Sequence, residues 1–141
     1  MSHVLEINKT LPTDIKRIIP FIDRVILTIS PLLKSKNEIF IIKLALEEAL
    51  TNAMRHGNKL NPKFNVKVSI EATLRKITLT IHDEGSGFDF AKVSDPTKKC
   101  RRVKFSGRGI FIMRSIMDRV SFRDYGRGIR LVKLLPRAHE K

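Results

Sequence analysis
Glu48, Asn52 and His56 are spaced four apart, which puts all three on one face of a helix. The chemistry open to them is metal-assisted proton transfer. A Mg²⁺ ion prefers oxygen ligands and keeps several waters, so one side-chain carbonyl plus anionic substrate oxygens is an ordinary way to hold it. Asn52 can supply that carbonyl. Glu48, one turn earlier, could take a proton from an attacking hydroxyl or water beside a phosphoryl group. The same spacing also suits a polar stripe making i, i+4 contacts on a solvated helix. Glu47 is an internal contrast, because it points about 100° away from Glu48 and should be solvated.

A second candidate group lies in Asp83-Glu-Gly85-Ser-Gly87. Ile77, Leu79, Ile81 and Asp83 share one strand face, since side chains alternate with period two. A carboxylate therefore continues an apolar, core-facing row, where burial without a partner is costly. The exocyclic amine of a purine is a donor that could satisfy it, and Gly85 and Gly87 would let a flat ring approach the backbone. The other reading is that the strand simply ends and Asp83 caps the glycine turn. The third segment, Gly107-Arg108-Gly109-Ile110, opens a helix. Unpaired N–H groups at a helix start, beside permissive glycines, suit an anion. The basic residues Lys98, Lys99, Arg101, Arg102, Lys104 and Arg108 gather just ahead of or within it, where a nucleotide's phosphates would lie.

These residues need elements to hold them. Val4, Leu5 and Ile7 suggest a short first strand. Thr13 with Asp14 resembles a helix N-cap, and Ile15, Ile18, Ile19, Ile22, Val25, Ile26 and Ile29 recur at helical spacing. Pro20 must kink or restart that helix, and Ser30-Pro31 ends it. A second helix runs from about Lys36 to His56 on the stripe Ile39, Ile42, Leu46, Ala49 and Ala53, with Gly57-Asn58 as its stop. Phe64 to Ala72 alternates as a half-buried strand, Arg75-Lys76 turns the chain, and Ile77 to Asp83 is the next strand. Asp89 to Ser106 has no sustained periodicity and reads as a functional loop or lid. Gly109 to Met117 is a short helix. Val120 to Tyr125 and Ile129 to Leu135 make a closing hairpin around Gly126-Arg-Gly128. The order predicts a single domain over residues 1–141: an α/β (α+β) sandwich of two layers, with a mixed or mainly antiparallel sheet and helices on one face.

Composition narrows the classes. The chain has 141 residues, with 28 Lys and Arg against 14 Asp and Glu, a net charge of +14. That excess favours acidic partners or polyanions, and Arg17 and Arg24 on the first helix are candidate contacts. The basic residues spread from Lys9 to Lys141 and aromatics are few, which argues against direct nucleic-acid binding. Cys100 is alone, so no internal disulfide forms and a reducing compartment fits. His3, His56, His82 and His139 are scattered, without paired cysteines to build a metal cluster. The N-terminus lacks a signal-peptide pattern. Apolar runs of about five residues fall short of the roughly 20 a membrane helix needs. The expectation is a soluble, cytoplasmic protein with no membrane partner.

In their order and spacing, the three segments resemble the N box and glycine boxes of the histidine-kinase-type (GHKL) ATPases, a family that includes gyrase, Hsp90, histidine kinases and MutL. The match runs from about Leu44 to Leu135. Ala45-Leu-Glu-Glu-Ala-Leu-Thr-Asn-Ala-Met-Arg-His-Gly57 and Ser106-Gly-Arg-Gly-Ile-Phe-Ile-Met-Arg-Ser-Ile-Met-Asp118 are similar to the anti-sigma factor serine kinases of the RsbW and SpoIIAB type. The brevity of the chain points to the same branch. The resemblance implies a Bergerat-type fold that binds ATP and Mg²⁺. Glu48 would be the general base, Asn52 the Mg²⁺ ligand and Asp83 the adenine contact, with Gly85, Gly87, Gly107, Arg108, Gly109 and Ile110 lining the nucleotide site. It further implies a homodimer that sequesters a sigma factor or other regulator and phosphorylates a serine on a small anti-anti-sigma antagonist. An ATP-binding module of the same fold that regulates its partner without phosphorylation is the alternative. One position departs from the pattern. The closing hairpin of the family usually carries Gly-Thr, whose hydroxyl supports the adenine site, and here Gly128-Ile129 stands there, followed by Arg130.

Overall fold
A computed structural model describes residues 5–85 and 107–136. Strand β1 (Leu5–Pro12) leads into a 3₁₀ turn (Ile15–Arg17) and helix α1 (Ile18–Ile29), and a second 3₁₀ turn (Ser30–Leu32) precedes helix α2 (Lys36–Thr51). A π-helical segment, Asn52–Gly57, continues α2 before strands β2 (Asn65–Ala72) and β3 (Lys76–His82). Helix α3 (Gly107–Ile116) and strands β4 (Arg119–Arg123) and β5 (Gly128–Leu134) complete the described chain.

The strands form one sheet in the order β1-β2-β3-β5-β4, and each neighbouring pair is antiparallel. Alternation then decides the layers. Val66, Val68, Ile70 and Ala72 of β2, Ile77, Leu79 and Ile81 of β3, and Ile129 and Leu131 of β5 are buried. The intervening Lys67, Ser69, Thr80, His82 and Arg130 lie on the opposite, polar face. The helices supply the other half of the core through Phe21, Ile22, Val25 and Ile29 of α1, Ile42, Leu46 and Leu50 of α2, and Met113 of α3. The two-layer α+β sandwich expected from the sequence is therefore the one observed. No helix among the described residues is long and apolar enough to cross a membrane.

Several boundaries differ for local reasons. Of the two outcomes expected at Pro20 the structure shows the restart, with α1 beginning anew after the 3₁₀ turn. Pro20 sits in the first turn, where its missing N–H would have had no partner. Strand β1 extends through the polar run Asn8–Thr10, because Lys9 pairs with Val68 and Leu11 with Val66 along β2. Asp14 alone caps, accepting from the Lys16 N–H at 3.1 Å. Thr13 instead is buried and donates its hydroxyl to the Phe64 carbonyl at 2.6 Å. Helix α2 is capped by Ser35, which accepts from the Glu38 N–H, while the Glu38 carboxylate accepts from the Lys34 N–H. The regular helical period ends at Asn52. The Asn58 N–H reaches back five residues to the Ala53 carbonyl at 2.8 Å, the bond that defines a π turn. Glu48 and Asn52 thus share a face, as their spacing demands, but His56 falls beyond the change of pitch and leaves the i, i+8 row. The anticipated lid, Asp89 to Ser106, lies outside the described residues.

Candidate functional site
Helix α2 delivers the first pair. Asn52 ends it, with its N–H directed to the carbonyls of Glu48 and Ala49. Both side chains are half-buried, whereas Glu47 is exposed, as the helical spacing predicts. Among the described residues neither Glu48 nor Asn52 has a side-chain hydrogen-bond or ion-pair partner, so two oxygen-bearing groups stand at the edge of the core with no described residue using their bonding capacity. A π turn directly after them is a feature that recurs at functional sites.

Asp83 follows the last residue of β3 and stays on the core side of the sheet, 5% exposed. Burial pushes its carboxyl above the ordinary aspartate value, against the Gly85 N–H bond and the nearby His82 and Arg127, which pull it down. Its Oδ1 accepts from the Gly85 N–H at 2.8 Å. The two readings of this residue are thus both partly realised: the carboxylate is buried in the apolar row and it also caps the glycine turn.

The end of α2 and the Asp83 turn touch backbone to side chain. A Cβ on Gly57 would stand 2.2 Å from Asp83 Oδ2, and one on Gly85 would stand 1.8 Å from the Gly57 carbonyl oxygen. Both glycines are required by this approach, so Gly85 is used against the chain's own backbone. Asn58, 1% exposed, locks the junction. Its side-chain amide donates to Thr13 Oγ1 at 2.8 Å and to the Asn65 carbonyl at 3.1 Å, and its Oδ1 accepts from the Glu84 N–H at 2.8 Å. Glu84 in turn accepts from the Asn65 N–H at 2.7 Å. Four parts of the chain meet at one buried amide.

The β4–β5 hairpin grips the turn from the other side. The Asp83 N–H donates to the Arg127 carbonyl at 2.9 Å, and Arg127 Nε–H donates to the Gly85 carbonyl at 2.8 Å. Arg127 Nη1 also lies 3.2 Å from Asp124 Oδ1, whose Oδ2 is 2.8 Å from His82 Nε2. Gly128 fits between His82 and Arg123, where a Cβ would meet both side chains at 3.0 Å. Ile129 is buried on the core face opposite Ile81, so it presents a hydrocarbon where the family pattern has a hydroxyl.

Helix α3 begins at Gly107 and packs against α2. Arg108 is exposed, Gly109 is buried and Ile110 is half-buried against the core. Gly87 and the basic residues from Lys98 to Lys104 lie outside the described residues. Of the residues singled out from the sequence, Glu48 and Asn52 are thus on one helix end, and Asp83 and Gly85 are on the turn that packs against its continuation. Asn58 and Arg127 were missed. Asn58 read as a helix stop, and neither residue carries a local signal, because their partners lie up to 45 residues away in sequence.

The sequence pattern of the histidine kinase-like ATPase domain matches residues 12–133. An anti-sigma F factor from Bacillus cytotoxicus is 36% identical over 103 residues, covering 70% of this chain and 70% of that protein. A serine-protein kinase RsbW from Staphylococcus aureus is 31% identical over 101 residues, covering 66% of this chain and 64% of that protein.

Proposed function
The chain belongs to the histidine kinase-like ATPase domain family, and on that footing we propose that it is an ATP-dependent protein serine/threonine kinase and an anti-sigma factor in a partner-switching system. It sequesters a sigma factor or a comparable regulator and phosphorylates a serine on a small anti-anti-sigma antagonist. It works in the cytoplasm as a homodimer. The names of the two relatives support the kinase and anti-sigma parts of this reading. The observation that carries nucleotide binding is Asp83, an acceptor buried in an apolar row with its pKa raised by that burial.

The donor and acceptor set fits ATP with Mg²⁺. Asp83 accepts from the adenine amine, a donor able to reach a buried carboxylate that otherwise bonds one backbone N–H. Asn52 offers its side-chain carbonyl to the ion, which supplies charge neutralisation at the phosphates. The Gly107-Arg108-Gly109-Ile110 helix start, with Gly87 ahead of it, receives the phosphates through N–H groups and the helix dipole. Glu48, half-buried and without a side-chain partner among the described residues, accepts the proton of the substrate serine as the serine oxygen bonds the γ-phosphorus. The bond from that phosphorus to the β-phosphate oxygen breaks, and ADP leaves.

Incubation of the purified chain with γ-labelled ATP and a cytoplasmic extract tests the reading. Label on a small protein is the expected result. Retention of ATP and of a protein partner with no labelled product would instead favour the non-phosphorylating module. Salt-dependent DNA binding indifferent to ATP would replace both.

A further inference from the structure
Asp83 is the terminal residue of a short segment whose two ends are both tied to one arginine. Arg127 takes the Asp83 N–H on its carbonyl at 2.9 Å and gives its Nε–H to the Gly85 carbonyl at 2.8 Å. Gly85 is the residue whose N–H orients the Asp83 carboxylate. Arg127 is itself aligned by Asp124, which is also held by His82. We propose that Arg127 is a positioning residue for base recognition: through Gly85 it sets the direction of the Asp83 carboxylate, and so the preference for a purine that carries a 6-amino group. The proposal rests on the reading of Asp83 as the amine contact.

Three observations converge on it. The Ile129 side chain, on the neighbouring strand, has no polar atom to offer the carboxylate, and among the described residues the Gly85 N–H is the group that bonds it. The Arg127 side chain is 31% exposed, and its bond to the Gly85 carbonyl is partly buried and charge-assisted, the stronger class of hydrogen bond. The hairpin tip also adopts an unfavourable backbone to make the arrangement possible. Asp124 and Tyr125 have φ of 55° and 56°, a left-handed pair that costs a bulky residue such as tyrosine free energy. Tyr125 is 78% exposed and gains little packing in return. The turn does bring the Asp124 carboxylate onto both His82 and Arg127.

Calorimetric titration of the whole chain with ATP and with purine riboside triphosphate, which lacks the amine, tests the assignment. Wild type should prefer ATP. Arg127→Ala should lose about tenfold of that preference, the scale of one charge-assisted hydrogen bond, and Arg127→Lys should retain part of it. In an Asp83→Asn background, Arg127→Ala should leave the ratio of the two affinities unchanged. A variant that binds both nucleotides more weakly by the same factor would reduce Arg127 to a structural role and overturn the proposal. So would an equal loss of preference in the Asp83→Asn background. A wild-type chain indifferent to the amine would overturn the Asp83 reading itself, and the positioning role with it.

Discussion

Glu48 and Asp83 are both carboxylates near the junction of α2 and β3, and their surroundings are opposite. Asp83 is buried, bonded by a backbone N–H, and fenced by Gly57, Gly85 and the β4–β5 hairpin. Glu48 is half-buried on a regular helix and has no partner among the described residues. A group that recognises a fixed shape gains from being immobilised beforehand, because the ordering cost is met on folding and not on binding. A group that must take a proton from an incoming hydroxyl needs lone pairs left open to that hydroxyl until the substrate arrives.

The largest effect should come from the open side. Glu48→Gln keeps shape but removes the base, so phosphoryl transfer should fall by about 10²–10⁴-fold while Mg-ATP affinity stays near wild type. Asn52→Ala, by contrast, should lose tight ATP binding and transfer together. Rates measured at saturating ATP, beside calorimetric affinities, separate the two; equal rates for Glu48→Gln and wild type would remove Glu48 as the base.

On the buried side, Asp83→Asn should weaken ATP binding by about a hundredfold, since an amide places a donor against the adenine amine. Without nucleotide the same variant should melt higher than wild type at neutral pH. The sign follows from burial, which raises the folded-state pKa above the ordinary 3.8. Below that value the carboxyl is protonated in both states and costs nothing. As pH rises through the raised folded value, the native state must ionise a buried group, and stability declines. The advantage of Asp83→Asn should therefore grow from acid to neutral pH, and an advantage that is flat with pH would contradict it.

Asn58→Ala should strip the junction that both sides share. It leaves the Thr13 hydroxyl oxygen, the Asn65 carbonyl and the Glu84 N–H without the partners that Asn58 supplies, and should cost about 2 kcal/mol in denaturant unfolding. The smallest change belongs to the hairpin tip. Tyr125→Gly relieves a left-handed tyrosine that packs on little, and should stabilise the chain by about 0.5–1 kcal/mol in the same measurement.

Periodicity carried the sequence reading wherever neighbours in the chain are neighbours in space. The alternation from Val66 to Ala72 and from Ile77 to Asp83 placed both strands and singled out Asp83. The stripe of α2 placed Glu48 and Asn52 on one face. What could not be read depends on pairing across long separations or on the cost of a rare backbone. Thr13 looks like a cap until Phe64 and Asn58 come to meet it. The turn at Asp124-Tyr125 carries no Asn-Gly or Asp-Gly signal, so Gly126-Arg-Gly128 drew attention instead. Nothing within Asn52–Gly57 announces that the helix widens to a π turn.

The Asn58 junction also has a consequence for the order of assembly. Strands β2 and β3 meet through a short turn, as do β4 and β5, whereas β1 must return from the far N-terminal side to pair Leu5 with Ala72. Closing that loop, like the similar one that pairs β3 with β5, is entropically dear and comes after the local hairpins. Because Thr13, just after β1, is one of the partners of Asn58, and Arg127 comes with β5, the turn that carries Asp83 is fully braced only after both long-range pairings form. Folding kinetics of Thr13→Ser and Asn58→Asp should accordingly show the change in the unfolding rate and little in the folding rate, marking the end of the molecule around Asn58 and Asp83 as a part that matures late.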